Sequence, residues 1–332
     1  MDAHPYSRLT PDTVLNALDA IGLRCDGRLL ALNSYENRVY QVGQEDGPPL
    51  VAKFYRPDRW SEAQILEEHA FASELDAAEI PVVAPLECQG RTLHESHGFR
   101  FAAFPRWGGR APELEDEATL VWLGRFIGRI HAVGAVRPFV HRPAIDIASF
   151  GDEPRAFMLE SGMIPPDLVA PWKQAVDLAL EGVRFAYERA GPVGSLRLHG
   201  DCHAGNVLWA PDTGNAPGGP HFVDLDDARM GPAVQDLWML ISGDRETMGR
   251  QLRRLLEGYE DFREFDDREL NLLEALRTLR LVHYSAWLAR RWDDPAFPIA
   301  FPWFGTARYW QDRILELREQ IATLHDPPLV PA

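Results

Sequence analysis

Lysine is nearly absent from this chain. Only Lys53 and Lys173 occur in 332 residues, and arginine supplies the remainder of the 34 basic side chains. Cysteine is as scarce: Cys25, Cys88 and Cys202 are too few and too scattered for a disulfide framework or a thiolate metal cage. No apolar run approaches the ~20 residues that span a bilayer, and Met1–Thr10 is polar, without the apolar stretch of a signal peptide. Basic charge is in deficit, with 50 Asp+Glu and a formal net charge of −16. That balance argues against a protein built to hold a phosphate backbone or an anionic membrane. What is present is ordinary: 45% hydrophobic and 25% charged residues, enough to bury a large core in one large domain or two lobes. These features predict a soluble cytoplasmic protein.

Along the chain the texture changes once. Residues 11–22 read as a helix through Val14, Leu15, Leu18 and Ile21. Short β-like runs follow at 29–32, 38–42 and 50–55, the last two separated by turn residues from Gly43 to Pro49. Ser61 and Gln64 fit a capping box that opens a helix running to about Ala78. Strand texture returns at 82–83, 91–93 and 99–104, and Pro105–Ala111 reads as a hinge. Beyond it helices are expected over 117–134, 168–190, 234–258 and 267–292, interrupted by two apolar runs that flank a Gly/Pro/Asn-rich loop at 210–220. The fold class is therefore α+β: a small β-rich lobe over 1–105 with one inserted helix, then a large, mainly helical lobe over 106–332.

Four pieces carry chemistry. Asp201 and Asn206 stand five positions apart in the polar loop Leu198–Leu208, the spacing of the kinase H-R-D-x-x-x-x-N loop. There the carboxylate takes the proton of an attacking hydroxyl and the amide oxygen serves a metal. Eighteen residues after Asn206, Asp224 ends the apolar run Phe222-Val223 and can meet Asn206 across a hairpin to hold Mg²⁺. Asp226, two residues on, would share its face if the strand continues, and is a further metal candidate. Lys53 lies in the apolar run Leu50–Tyr55, where lysine is disfavoured unless its ammonium is paired or reaches solvent at an edge. In a chain that otherwise writes arginine, a compact ammonium suits a point contact with nucleotide phosphates. Glu68 shares a helix face with Phe71 and Leu75 and is the expected partner of Lys53; Glu67 is the alternative.

Asn33–Tyr40, Val51–Pro57, Leu198–Asn206, Phe222–Arg229 and Gln235–Leu240 together resemble the bacterial stress response kinase A family, in the aminoglycoside phosphotransferase and choline kinase branch of the protein-kinase-like fold. The resemblance runs over nearly the whole chain. It implies a two-lobed kinase-like architecture and a cytoplasmic, Mg²⁺- and ATP-dependent serine/threonine protein kinase that autophosphorylates in stress responses. By it Ser34 contacts ATP and Lys53 its phosphates, Asp201 is the proton acceptor, and Asn206 and Asp224 hold magnesium; separately, the apolar run 99–104 leading straight into the Pro105–Ala111 hinge puts backbone near Phe101–Phe104 against the adenine. The implied partners are ATP and protein acceptors, with no nucleic acid or membrane, for a monomer. The chain departs from ordinary protein kinases in having no G-x-G-x-x-G, in replacing D-F-G with Asp224-Leu225-Asp226, and in lacking an A-P-E-like activation segment.

Other readings stay open on the residues alone. The same fold phosphorylates small hydroxylated molecules such as choline, homoserine or aminoglycosides, and an acidic chain suits a cationic acceptor. His199, Asp201 and His203 form an H-x-D-x-H pattern that could serve a zinc hydrolase if further ligands joined it. Asp236 is expected to accept backbone N–H groups of the catalytic loop. The aromatic stretch Phe297–Trp310 is expected to pack the helical lobe.

Overall fold

Side chains alternate across the first strands, and the alternation decides which helix each face of the sheet receives. In the computed structural model, which describes residues 4–212 and 218–332, helix α1 (Pro11–Ala20) precedes strands β1 (Cys25–Ala31), β2 (Arg38–Gln44) and β3 (Leu50–Phe54). Helix α2 (Glu62–Ala77) follows, then β4 (His94–Ser96) and β5 (Phe99–Pro105). The sheet order is β1-β2-β3-β5-β4, antiparallel throughout. Leu50, Ala52 and Phe54 of β3 join Tyr6, Val14, Leu18, Phe99 and Phe101 in one core under α1. Lys53 and Tyr55 face the other way, where Tyr55 packs with Trp60, Ile65, Leu93 and Ala102. Each fully buried Leu or Phe contributes roughly 1.5–3 kcal/mol, so register in β3 is strongly specified.

The expected capping box forms. Ser61 Oγ accepts from the Gln64 N–H, and Gln64 Oε1 accepts from the Ser61 N–H at 2.9 Å. Later elements are α3 (Glu117–Gly134), α4 (Glu153–Glu160), α5 (Val169–Ala190), β6 (Leu196–Arg197), β7 (Val207–Ala210), β8 (Gly219–Phe222), β9 (Met230–Gly231), α6 (Val234–Trp238), α7 (Arg245–Tyr259), α8 (Leu273–Ala289), α9 (Ala296–Ala300) and α10 (Ala307–His325). None of the helices is long and apolar enough to cross a membrane among the described residues.

Several expected elements differ. No strand forms at 82–83 or 91–93; Val82 makes one parallel bridge to Phe222, and the edge strand β4 lies just beyond Leu93. The helix expected over 234–258 breaks after Trp238, because Gly243 turns through φ 104° and Asp244 caps a new start by accepting from the Thr247 N–H at 2.8 Å. The stretch from Asp267 opens as a 3₁₀ turn to Leu272 before α8. Helix α10 takes up the end of the aromatic stretch, and Phe297, Phe304 and Trp310 are buried, as the packing expectation required. Residues 213–217, inside the loop read at 210–220, lie outside the described residues, as do residues 1–3.

Packing also groups the chain differently from its order. One unit takes the chain as far as Glu113 together with Phe139–Arg142 and His203–Ala228, so it includes the β7–β8 hairpin. The other comprises Leu114–Pro138, Pro143–Cys202 and Arg229–Ala332. A single cut at residue 105 therefore does not describe the packing: the loop bearing Asn206 and Asp224, expected in the later lobe, belongs with the β-rich unit. Its β8 strand explains why, since Val83 N–H donates to Phe222 O at 3.0 Å and Phe222 N–H to Pro81 O at 2.7 Å.

Candidate active site

In the first unit, the chemistry collects around Lys53. β3 pairs Lys53 with Val39 on β2 and Ala102 on β5, leaving its side chain enclosed and the residue only 6% exposed. Its ammonium lies 3.0 Å from Asp226 Oδ1, 3.1 Å from Asp224 Oδ1 and 3.5 Å from Glu68 Oε1. Burial opposes the charge, but Asp226, Glu68 and Asp224 outweigh it and hold the ammonium well above its ordinary pKa. Glu67, one residue from Glu68, instead accepts the backbone N–H groups of Val140, His141 and Arg142 at 2.6–2.8 Å.

Two arginines complete the cluster. Arg59 pairs with Asp226, and with Asp227 at 2.7 Å. Arg142 reaches Glu68 at 3.3 Å and donates to the carbonyls of Gln64, Asp226 and Ala228. Burial pushes Glu68 upward. It would do the same to Asp226, but Arg59 and then Lys53 pull that carboxyl below its usual range. No periodicity or motif marked Arg59 or Arg142, since each of many arginines could have been the partner. The one available signal was that Asp226 and Asp227 are adjacent acids in an apolar setting and require cations.

Asp224 and Asp226 do not share a strand face. Asp224 takes the left-handed conformation (φ 62°, ψ 61°) and Leu225–Asp227 is a 3₁₀ turn, so the extended backbone assumed for that reading ends before Asp224. The turn separates the acids by environment: the Asp226 side chain is 4% exposed and Asp224's is 54%. Asn206 ends the short 3₁₀ turn before β7, and its carbonyl accepts the Val223 N–H at 3.0 Å, which brings the backbones carrying Asn206 and Asp224 side by side. Lys53, Arg59 and Arg142 face Glu68, Asp224, Asp226 and Asp227. These carboxylates outnumber the cations by one, and the solvent-open Asp224 is an oxygen donor suited to a hard divalent cation. Asp224, the more open of the two acids, thus offers the oxygen donor suited to Mg²⁺, whereas Asp226 is enclosed between Arg59 and Lys53.

The β1–β2 turn is braced by side chains. Ser34 Oγ donates to Asn37 O at 3.2 Å, and Asn37 Oδ1 accepts the Arg56 N–H at 3.0 Å. Phe104 lies on β5 opposite Val51.

Asp201 belongs to the second unit. Its loop is fastened by Asp236, which accepts the N–H groups of His199 at 2.8 Å and Gly200 at 2.9 Å. His131 Nε2 meets the same carboxylate at 3.0 Å. Gln235 adds a bond from Nε2 to Gly200 O at 3.1 Å. Asp201 itself pairs with Arg280 on α8 at 2.7 Å, a contact the linear order gave no means of anticipating. His199 is buried, and His203 Nδ1 accepts the Gly205 N–H at 2.9 Å. Among the described residues no three His, Cys, Asp or Glu side chains gather as a metal group, which removes the geometric basis of the zinc-hydrolase reading.

Residues 28–273 match the family described as "Phosphotransferase enzyme family". The chain is 47% identical over 328 residues to stress response kinase A of Salmonella choleraesuis, covering 99% of this chain and 97% of that one. It is equally similar over 328 residues to the serine/threonine protein kinase RdoA of Salmonella typhimurium, and over 327 to stress response kinase A of Escherichia coli. Among solved structures it is similar to amicoumacin kinase hAmiN (TM-score 0.71, 20% identity, 94% of this chain and 93% of that one). A microcompartment-associated aminopropanol kinase follows (TM-score 0.67, 19% identity, 93% and 95%). These likenesses carry the kinase-like α+β fold.

Proposed function

Because the chain belongs to the phosphotransferase enzyme family, we propose that it is an ATP- and Mg²⁺-dependent serine/threonine protein kinase of the stress response, cytoplasmic, monomeric and able to phosphorylate itself. The observation that carries this reading is the enclosed lysine: Lys53, held by Asp226, Asp224 and Glu68, in a chain 47% identical over nearly its full length to stress response kinase A. Lys53 binds the nucleotide phosphates as a point charge, Glu68 orients it, Ser34 lies over the phosphates and Phe104 borders the adenine. Asn206 and Asp224 hold the magnesium, which supplies charge neutralisation to the phosphates when bound. Asp201 accepts the proton of the acceptor hydroxyl. The Asp236 grip on His199 and Gly200 keeps that carboxylate in a defined orientation, since positioned groups lose little entropy at the moment of reaction. A second reading, a small hydroxylated acceptor, draws on the neighbours named for amicoumacin and aminopropanol.

Transfer from labelled ATP tests the assignment. Asp201→Asn keeps the shape and removes the base, so ATP binding should persist while transfer, self-phosphorylation included, falls about 10²- to 10⁴-fold. Undiminished transfer in Asp201→Asn would overturn it.

A further inference from the structure

The carboxylate assigned as proton acceptor is already held by a cation. Arg280 Nη1 lies 2.7 Å from Asp201 Oδ1, and the Arg280 side chain is still 38% exposed. Along α8 the positions four and seven residues on are Tyr284 and Trp287, one face of the helix, and Arg291 lies in the turn just past its end. Tyr284 and Trp287 stack with ring centroids 5.6 Å apart, and the Arg291 guanidinium sits 5.2 Å from the Trp287 ring centre. Within Leu273–Arg291 there are four arginines and one acid, Glu274, which pairs with Arg277 at 3.1 Å. In an acidic chain of net charge −16, the Asp201 carboxylate is thus met by a guanidinium carried on α8.

This arrangement constrains the acceptor. A hydroxyl that gives its proton to Asp201 must approach the carboxylate that Arg280 occupies, so the guanidinium has to share or yield it. An acceptor with a carboxylate beside the hydroxyl offers the guanidinium a replacement partner in fork geometry. One with an ammonium there meets a like charge, the means by which interfaces reject wrong partners. We propose that Arg280 is a specificity-determining residue that selects acceptor hydroxyls flanked by carboxylates, so that the protein substrate is a seryl or threonyl segment with Asp or Glu neighbours. The proposal rests on the reading of Asp201 as proton acceptor and deepens it.

The test uses the full chain, Mg²⁺, labelled ATP and two matched peptides, one with serine flanked by glutamates and one with serine flanked by lysines. The parent should favour the acidic peptide by about tenfold or more in kcat/KM. Arg280→Gln should bring that ratio close to unity, and Arg280→Lys, which restores a cation without the fork, should recover most of it. A merely structural ion pair would lower both rates together and leave the ratio alone. A ratio unchanged in Arg280→Gln, a parent preference for the lysine peptide, or no transfer by the parent to either peptide overturns the proposal. Failure of the underlying reading is distinguishable, because it appears as undiminished transfer in Asp201→Asn.

Discussion

Lys53 shows how one residue can hold a site together and be held by it. Its ammonium is enclosed among three carboxylates, two of which, Glu68 and Asp226, are almost fully buried. Removing one partner of such a group leaves uncompensated charge away from water, typically a loss of about 3–5 kcal/mol. Arg142 and Arg59 remain on Glu68 and Asp226 in a Lys53→Met protein, which sets the expectation near 3 kcal/mol. Urea unfolding at neutral pH measures it, and a midpoint equal to the parent's would show that the acids do not depend on this cation. Lys53→Arg keeps the charge but forces a planar fork into a site already bounded by two guanidinium groups. Transfer from ATP should fall at least about tenfold there, because a point contact is replaced by one of different geometry. Near-parental turnover would mean that the charge alone suffices.

At the scale of elements, α3 and α7 meet backbone to backbone. A Cβ on Gly124 would run into the Leu255 carbonyl, and one on Gly258 into the Val121 carbonyl. Both glycines sit inside helices, where alanine would ordinarily be favoured by about 1 kcal/mol. The close approach reverses that preference, since the obstructing atoms are main chain and cannot rotate away. Gly124→Ala should therefore destabilise the protein by about 1–3 kcal/mol, read as a lower urea midpoint with an unchanged slope. A gain in stability of about 1 kcal/mol would show instead that propensity governs the position. The capping box at Ser61 and Gln64 is the opposite kind of feature: local in sequence and complete within one turn.

For the whole molecule, the unit that contains Lys53 is assembled from three separated stretches of chain, ending at Glu113, Arg142 and Ala228. A fragment of residues 1–113 retains the five-stranded sheet with α1 and α2, but lacks Arg142, Asp224 and Asp226. Lys53 and Glu68 would then keep only each other, and the Val83–Phe222 and Pro81–Phe222 hydrogen bonds would be lost. Such a fragment should give no cooperative urea transition by circular dichroism. A sharp two-state transition would show that the sheet and its two helices suffice.

Much of this was written in the linear order because it is short-ranged. The apolar run that becomes β3, the Ser61–Gln64 cap, the 117–134 helix and the choice of Glu68 over Glu67 as the residue beside Lys53 follow from local composition, the 3.6-residue period and one turn of hydrogen bonding. The Asp201–Asn206 spacing and the acid at Asp224 were legible for the same reason, as motifs confined to a few positions. Tertiary structure alone decided which arginine meets which acid, because many arginines are chemically equivalent candidates until the chain brings Arg59, Arg142 and Arg280 to Asp226, Glu68 and Asp201. It also decided that the Asn206–Asp224 hairpin packs with the β-rich unit. Its partners lie more than a hundred residues away in sequence, at Pro81 and Val83, and no local pattern encodes a pairing at that separation.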